Sequence, residues 1–484
     1  MRQWLDRSVL GGVFLPRIIL VLVSIVVAAC ASRPINEQIT EIDHNSGYRP
    51  NLLIPKRENN DRSTLFILSF SGGGTRAASF SYGVLEELRR TEVTIDGEQR
   101  RLIDEVDLIT GVSGGSFTAL SYALYGDQLF DEYEQRFLKR NVQSALMWRA
   151  LNPFNWGKLM SRNYGRSELA AEYYDEILFE NATYADLQDS PGPIVIAVGT
   201  DMTIGTRFGF FQYDFDLICS NLDSVNLSRA AATSSAVPVV LSPVTFNNYG
   251  GTCDYEYPLW VKDILEVEPH ERPAGRALER YKDMTALHDG ANRPYLHLVD
   301  GGVSDNIGVR GVLETLQEAF ISRDFYHERG LDTIDRVVVI VADAHSTDSR
   351  DWEKKESPPG MIKQLLQSSG VPIERYSFET IELMKDRAAI AEWRRELMVA
   401  RLRLKGMSEE EARKRVPKID VHVMAVSFDQ IVDPERRGQV QDLPTSFVLP
   451  AEDVDNLREV AGELLRQSPE FREMLRSYRI EIGD

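Results

Sequence analysis

Three short motifs carry residue types whose order and spacing suit the cleavage of an acyl ester. They are Ser71-Gly72-Gly73-Gly74-Thr75-Arg76, Gly111-Val112-Ser113-Gly114-Gly115 and Asp300-Gly301-Gly302. A serine hydroxyl becomes a good nucleophile when a nearby base takes its proton, and a partly buried carboxylate can be that base. Backbone N–H groups of a glycine loop can stabilise the oxyanion that then forms. We therefore predict Ser113 as nucleophile, Asp300 as general base, and an oxyanion loop at Gly72, Gly73 and Gly74.

The surrounding elements predict how these motifs come together. Each motif follows a short apolar run, which is typical of a strand that is buried on both faces. Strands are predicted at residues 65–70, 106–109, 194–198, 295–299, 337–341 and 421–428. Helical spacing between several of these strands indicates an α/β fold with three layers, α/β/α, around a mostly parallel sheet. The carboxyl ends of such strands form the binding crevice, so we expect Ser113 and Asp300 to meet there.

Two regions depart from the alternation of strands and helices. Residues 127–190 are predicted to be a helical insertion rich in aromatic residues, and residues 351–484 a mainly helical C-terminal extension. The insertion is interpreted either as a lid or membrane-facing surface, or as a region that packs on the core. Its aromatic residues include Trp148, Phe154 and Trp156. No low-complexity linker follows residue 62, so residues 63–484 are predicted to form one domain.

The N-terminus has the pattern of an export signal. Arginines precede an apolar run of about a dozen residues, and Val27-Ala28-Ala29-Cys30 follows it, so residues 1–29 are predicted to be a signal peptide. The Val-Ala-Ala-Cys sequence resembles a bacterial lipobox, which implies lipidation at Cys30. Since Ala31 rather than Asp follows, that resemblance implies the outer membrane of a Gram-negative bacterium. An uncleaved signal anchor is the alternative. Residues 30–62 are polar and are predicted to be a tether.

Composition limits the other function classes. The formal net charge is −19, which argues against nucleic acid as a partner. No histidine shows metal-binding spacing such as His-Glu-x-x-His. After removal of the signal, Cys219 and Cys253 are the remaining cysteines besides Cys30. In an oxidising compartment they can form a disulfide, and two buried free thiols are the alternative.

The three motifs, in this order, resemble those of the patatin-like phospholipase family. Residues 228–238 also resemble a family segment of the type Ala-Thr-Ser-Ala-x-Pro, and the resemblance extends over residues 64–343. It implies a Ser113–Asp300 dyad, the glycine oxyanion loop, lipid acyl esters as substrates, and no metal or cofactor. The chain departs from the family's frequent Asp-Gly-Gly-Gly start because it has Ser71 in place of the aspartate.

Three questions stay open at this stage. Arg76 is a candidate substrate-binding residue that could hold a lipid phosphate, or it could pair with an acidic neighbour. The order Ser113, Asp300, His345 would also suit an α/β-hydrolase with a Ser-His-Asp triad. A third possibility is a lipid-binding outer-membrane lipoprotein that has lost catalysis.

Overall fold

The computed structural model describes residues 32–57, 60–95, 97–266, 268, 275–321, 333–346, 356–416 and 418–480. The predicted signal peptide and Cys30 lie outside these residues. The central sheet contains the strands β1 (Thr64–Phe70), β2 (Leu108–Val112), β3 (Ile194–Asp201), β4 (Arg207–Gly209), β5 (Val244–Asn247), β6 (Tyr295–Asp300), β7 (Arg336–Asp343) and β8 (Asp420–Ser427). Their order is β8-β7-β1-β2-β3-β6-β5, and β4 pairs with β3.

The sheet is parallel from β8 to β3 and antiparallel beyond it. The pairs β7–β8, β7–β1, β1–β2 and β2–β3 are parallel. β6 is antiparallel to both β3 and β5. Because β6 runs antiparallel to β3, Asp300 at the carboxyl end of β6 lies opposite Gly199 of β3.

Helices cover the sheet. They include α1 (Gly74–Arg90), α2 (Gly114–Tyr125), α3 (Val142–Leu151), α4 (Pro153–Leu159), α5 (Arg166–Tyr174), α6 (Leu227–Ser234), α7 (Gly275–His288), α8 (Arg310–Ile321), α9 (Met361–Leu404), α10 (Ala451–Gln467) and α11 (Pro469–Ile480). Further helices include Pro50–Leu53, Leu129–Tyr133, Gln212–Leu217, Leu259–Glu266, Gly302–Asp305, Glu409–Arg415 and Pro434–Gln441, and π-helical turns lie at Glu134–Leu138 and Asp175–Phe179. Among the described residues, no helix combines the length and the apolar character needed to cross a bilayer.

The side chains of the central strands alternate between two cores. In β1, Phe66, Leu68 and Phe70 belong to the larger core, whereas Ile67 belongs to the smaller one. Successive side chains of a strand point to opposite faces, so a continuous apolar run fills both sides of a sheet. The helices α1 and α10 pack on each other over the larger core, and α8 and α9 contribute to the smaller one. The predicted three-layer α/β/α fold with a mostly parallel sheet is thereby confirmed.

The N-terminal segment differs from the predicted tether at residues 30–62. Its residues 37–38 pair with residues 220–221, and Tyr48 is buried. Arg49 is 2% exposed and forms an ion pair with Asp216, with 2.7 Å between Nη1 and Oδ2. Some polar groups of the segment thus bind partners in the domain, and polarity alone does not distinguish this from a solvated tether. Residues 37–38, Tyr48 and Arg49 differ from the predicted tether, whereas many residues around them are exposed.

Two further differences concern the sheet. The strand predicted at residues 106–109 begins later and is β2, which runs directly into the serine motif. The strands β4 and β5 were not predicted. Both are short, with three and four residues, so neither gives a clear alternating pattern.

Candidate active site

Ser113 stands on a sharp turn between β2 and α2. Its φ and ψ angles are 48° and −119°, a conformation that is costly for a residue other than glycine. The next residue must be glycine, since a Cβ atom on Gly114 would lie 2.0 Å from the carbonyl oxygen of Gly74. Two contacts hold the turn. The Ser113 N–H donates to Ser234 Oγ at 2.9 Å, and Ser116 Oγ donates to the Ser113 carbonyl at 2.6 Å.

Asp300 ends β6 and lies beside Ser113. Its carboxylate accepts a hydrogen bond from the Gly302 N–H, at 2.8 Å from Oδ1. The residue is 7% exposed, and burial raises the pKa of its carboxyl to about 6 from 3.8. Desolvation disfavours the charged form of a carboxyl, and the nearby Gly302 N–H and Ser113 hydroxyl offset part of this effect. Asp300 is thus a stronger base than an exposed aspartate, yet is mostly ionised at neutral pH.

The glycine loop lies against this pair, but its three residues have different roles. The Gly72 N–H donates to the Asn306 carbonyl at 2.9 Å, so this amide is already used within the fold. A Cβ atom on Gly72 would lie 3.4 Å from Ser113 Cβ and 2.5 Å from Asn306 Oδ1. Within the part of the chain that the structure describes, the N–H groups of Gly73 and Gly74 have no hydrogen-bond acceptor. The predicted donor role therefore suits Gly73 and Gly74, and it does not suit Gly72.

Two helices begin at the site. The helix α1 starts at Gly74 and α2 starts at Gly114, and these two residues are in contact. The first N–H groups of a helix have no partner within the helix, and the helix dipole places partial positive charge there. The site can therefore stabilise a developing oxyanion without a charged side chain. The N–H of Gly114, which was not predicted as a donor, belongs to this set.

The contacts of Arg76 differ from those expected of a substrate-binding residue. Its side chain is 3% exposed and donates to the carbonyls of Ala344 and Leu443, at 2.9 and 2.5 Å. It also donates to Thr445 Oγ1 at 3.1 Å. Through these hydrogen bonds the guanidinium links α1 to two later segments of the chain. In the structure Arg76 supports the glycine loop rather than presenting a cation to a ligand.

His345 does not lie between the serine and the aspartate. Its Nε2 atom is 3.3 Å from Glu374 Oε1, and its N–H donates to Asp343 Oδ1 at 3.1 Å. A triad requires an imidazole between the nucleophile and the carboxylate. Ser113 lies beside Asp300, whereas the imidazole of His345 contacts Glu374, so His345 does not occupy the place of a triad histidine.

Two residues that hold the site were not singled out from the sequence. Ser234 receives the Ser113 N–H and donates to the Val198 carbonyl at 2.7 Å. It lies in the segment 228–238, whose resemblance to a family motif was its only signal. Asn306 accepts the Gly72 N–H and lies close to Gly302. Its position six residues after Asp300 gives no chemical pattern that sequence reasoning could use.

The remaining predicted site residues lie elsewhere. Cys219 and Cys253 form a disulfide, with 5.5 Å between their Cα atoms. It links the chain after the helix Gln212–Leu217 to the loop that follows β5. The described residues contain no cluster of His, Cys, Asp and Glu side chains arranged to hold a metal ion.

Comparison with known proteins gives one family and several distant structures. The model of the patatin-like phospholipase family matches residues 68–313. The structure of human GIVD cytosolic phospholipase A2 is 11% identical, with a TM-score of 0.39, over 93% of this chain and 66% of that one. VipD from Legionella pneumophila is 13% identical, with a TM-score of 0.24, over 90% of this chain and 72% of that one. No curated protein sequence matches the chain.

Proposed function

The chain belongs to the patatin-like phospholipase family, and on that premise we propose that it is a serine lipid acyl hydrolase of the phospholipase A, lysophospholipase or esterase type. The observation that carries the proposal is the position of the Ser113 hydroxyl beside the buried Asp300 carboxylate, close enough to lower the pKa of that carboxyl. A serine and a carboxylate base in this contact, beside N–H groups with no acceptor in the described structure, provide the three groups that acyl transfer requires.

The mechanism has two steps. In the first, Asp300 takes the proton of the Ser113 hydroxyl as Ser113 Oγ attacks the ester carbonyl, and the N–H groups of Gly73, Gly74 and Gly114 stabilise the oxyanion. The oxyanion then collapses, the bond to the leaving alcohol breaks, and Asp300 returns its proton to that alcohol. In the second, a water molecule gives a proton to Asp300 and attacks the acyl–Ser113 ester. The fatty acid leaves and Ser113 regains its proton.

The cellular location belongs to the same proposal. We infer that residues 1–29 are removed on export and that Cys30 carries the lipid that holds the protein at the outer membrane of a Gram-negative bacterium. The lipobox-like sequence Val27-Ala28-Ala29-Cys30 supports this inference. Metabolic labelling with a palmitate analogue tests it, because labelling should disappear in Cys30→Ser. Labelling that persists in the variant would exclude this anchor.

The experiment that tests the catalytic proposal compares fatty-acid release by the full chain with that by Ser113→Ala and Asp300→Asn. Ser121→Ala is a matched control, since Ser121 is a buried serine of α2, the helix that follows Ser113, and its hydroxyl has no hydrogen-bond partner in the described structure. We expect both site variants to lose at least about a hundredfold in rate, as general-base catalysis contributes about 10²–10⁴-fold. Ser121→Ala should keep the wild-type rate.

Other results would favour the competing functions. A large loss in His345→Ala would support a Ser-His-Asp hydrolase, because a dyad enzyme should keep most of its activity without this histidine. Wild-type protein that is folded, binds lipid and releases no fatty acid would support a lipid-binding lipoprotein. A fluorophosphonate probe distinguishes a lipid-binding protein from an enzyme tested on the wrong substrate. Labelling that depends on Ser113 would show that the serine is reactive, and absence of labelling would favour the lipid-binding protein.

A further inference from the structure

The helices α3 and α4 of the insertion present large apolar side chains to solvent. Trp148 is 73% exposed and Phe154 is 89% exposed. We call the following six side chains, each more than half exposed, the apolar face: Met147, Trp148, Leu151, Phe154, Trp156 and Met160. Trp148, Phe154 and Trp156 therefore do not have the core positions that the alternative interpretation of the insertion gave them. Exposed apolar groups in such a cluster mark a surface that binds a protein or a membrane.

One end of the apolar face adjoins the glycine loop. The N–H of Thr75, at the start of α1, donates to the Ser446 carbonyl at 2.8 Å. The next residue, Phe447, accepts the N–H of Gln143 at 3.2 Å. Gln143 lies in the first turn of α3, the helix that carries the first three members of the apolar face. Two hydrogen bonds and the peptide bond between Ser446 and Phe447 thus link the start of α1 to the helix that carries part of the face.

A second exposed apolar group follows a segment that is bonded to the site. The Asp300 N–H donates to the Ala236 carbonyl at 3.0 Å, and the chain then reaches Val239 and Val240, which are both exposed. The Val239 carbonyl accepts a hydrogen bond from Arg166 at 3.1 Å, at the start of α5. This group is therefore linked both to Asp300 and to the insertion that carries the apolar face.

The described chain begins beside the apolar face. The Arg33 N–H donates to the Asn163 carbonyl at 3.1 Å, and Asn163 follows Met160 by three residues. Cys30, the predicted site of lipidation, precedes Arg33 by three residues. Three residues span at most about 11 Å, so a lipid on Cys30 attaches on the same side of the domain as the apolar face.

Basic residues accompany the apolar face. Residues 135–167 contain seven Lys and Arg residues and no Asp or Glu, although the chain carries a net charge of −19. Four of the seven pair with acidic residues outside this range, and among the described residues Arg140, Arg162 and Arg166 have no such ion pair. Basic residues near an apolar surface attract anionic headgroups, and tryptophans are enriched where membrane proteins meet the headgroup layer. Trp393, an exposed tryptophan of α9, lies between Glu392 and Arg394, so both signs of charge adjoin it.

We propose that the apolar face, together with Val239 and Val240, docks on an anionic phospholipid bilayer and brings the Ser113 site to the lipid. The lipid on Cys30 and the apolar face then hold the domain at two neighbouring points, which fixes its orientation. A lipid at one point leaves the domain free to turn about that point, so a second contact has a physical reason to exist. The docking concerns orientation and does not depend on the hydrolysis of any ester.

A pair of labelled variants tests the proposal. In the full chain with Ser113→Ala, which leaves the lipid intact, Trp148→Cys and Trp393→Cys each receive a polarity-sensitive dye. The two tryptophans are matched in exposure, at 73% and 75%. The protein is reconstituted in vesicles of equal parts phosphatidylcholine and phosphatidylglycerol. We expect a blue shift at position 148 and loss of its emission on adding a spin label carried on acyl chains, with neither change at position 393.

Each other outcome contradicts a stated part of the proposal. Equal, water-like emission at both positions would overturn the docking. A blue shift at position 148 without vesicles, rising with protein concentration, would show that a second copy covers the face. Equal docking on vesicles of phosphatidylcholine alone would overturn the preference for anionic lipid. If position 148 docks while the wild type releases no fatty acid, the docking stands and the proposed hydrolase function fails.

Discussion

Replacing Asp300 by asparagine should make the protein more stable and much less active. The asparagine side chain has the same shape, and its oxygen can still accept the N–H of Gly302, which lies 2.8 Å from the Asp300 carboxylate. It cannot take the Ser113 proton. The substitution therefore removes the base and a buried negative charge while leaving the packing of β6 unchanged.

The expected gain in stability follows from the pKa of Asp300. Burial raises this pKa from 3.8 to about 6, so the folded protein holds the proton more tightly than the unfolded chain does. Well below pH 3.8 both states are protonated, and the carboxyl then does not make stability depend on pH. As pH rises to about 6 the wild type loses stability. The loss reaches about 3 kcal/mol, since each pH unit between the two values is worth about 1.4 kcal/mol.

The assay is urea unfolding of wild type and Asp300→Asn at pH 4 and pH 7.5, alongside hydrolysis at pH 7.5. At pH 7.5 we expect the variant to gain up to about 3 kcal/mol in unfolding free energy, and at pH 4 a much smaller gain. Asp107→Asn is the control for activity. Asp107 is also buried, with its pKa raised to about 7, but it lies before β2, at the end away from Ser113, and that variant should still hydrolyse esters.

Two results would refute this reasoning. If Asp300→Asn keeps more than about a tenth of the wild-type rate, Asp300 is not the general base, because loss of that role costs about 10²-fold or more. If its gain in stability is the same at pH 4 and pH 7.5, the effect does not come from removing a buried charge. Unfolding of the variant under both conditions would show that the carboxylate has a structural role.

Three shorter predictions concern the support of the site. Gly114→Ala should abolish hydrolysis and lower the unfolding temperature, because its Cβ would meet a backbone oxygen at 2.0 Å; Gly438→Ala, where no atom lies within 4 Å, should do neither. Arg76→Lys should lower kcat without changing how tightly lipid phosphate competes as an inhibitor, since its guanidinium binds carbonyl oxygens of the protein. Cys219→Ser with Cys253→Ser should lower the unfolding free energy by about 2–5 kcal/mol, measured in urea, and an unchanged value would show that the disulfide adds no stability.

The parts of the site that depend on local sequence could be predicted. A strand, a tight turn with small residues and a helix form the serine turn from neighbouring residues, so the Gly-x-Ser-x-Gly pattern was sufficient to locate it. The strand before Asp300 could be located in the same way. The resemblance to the family then supplied the contact between Ser113 and Asp300, which are separated by nearly two hundred residues.

The parts that depend on distant partners could not be predicted. The amide of Gly72 is used by Asn306, and the side chain of Arg76 by residues 443–445. No local pattern shows that residues so far apart in the chain form hydrogen bonds. The buried ion pair of Arg49 with Asp216 likewise attaches a polar segment to the domain, and no local pattern predicts this contact.

The pairing of β7 with β1 sets the smallest fragment that could be cut from this chain. The family model ends at residue 313, before β7, yet β7 pairs with β1 from Thr64 to Phe70. A fragment ending there would leave β1, a strand of apolar sequence, with an unpaired hydrogen-bonding edge. Unpaired edges of this kind are where chains pair with each other and aggregate. It would also lack Ser446, which accepts the N–H of Thr75 beside the glycine loop. A shortened form made for crystallisation or screening should therefore extend past residue 447.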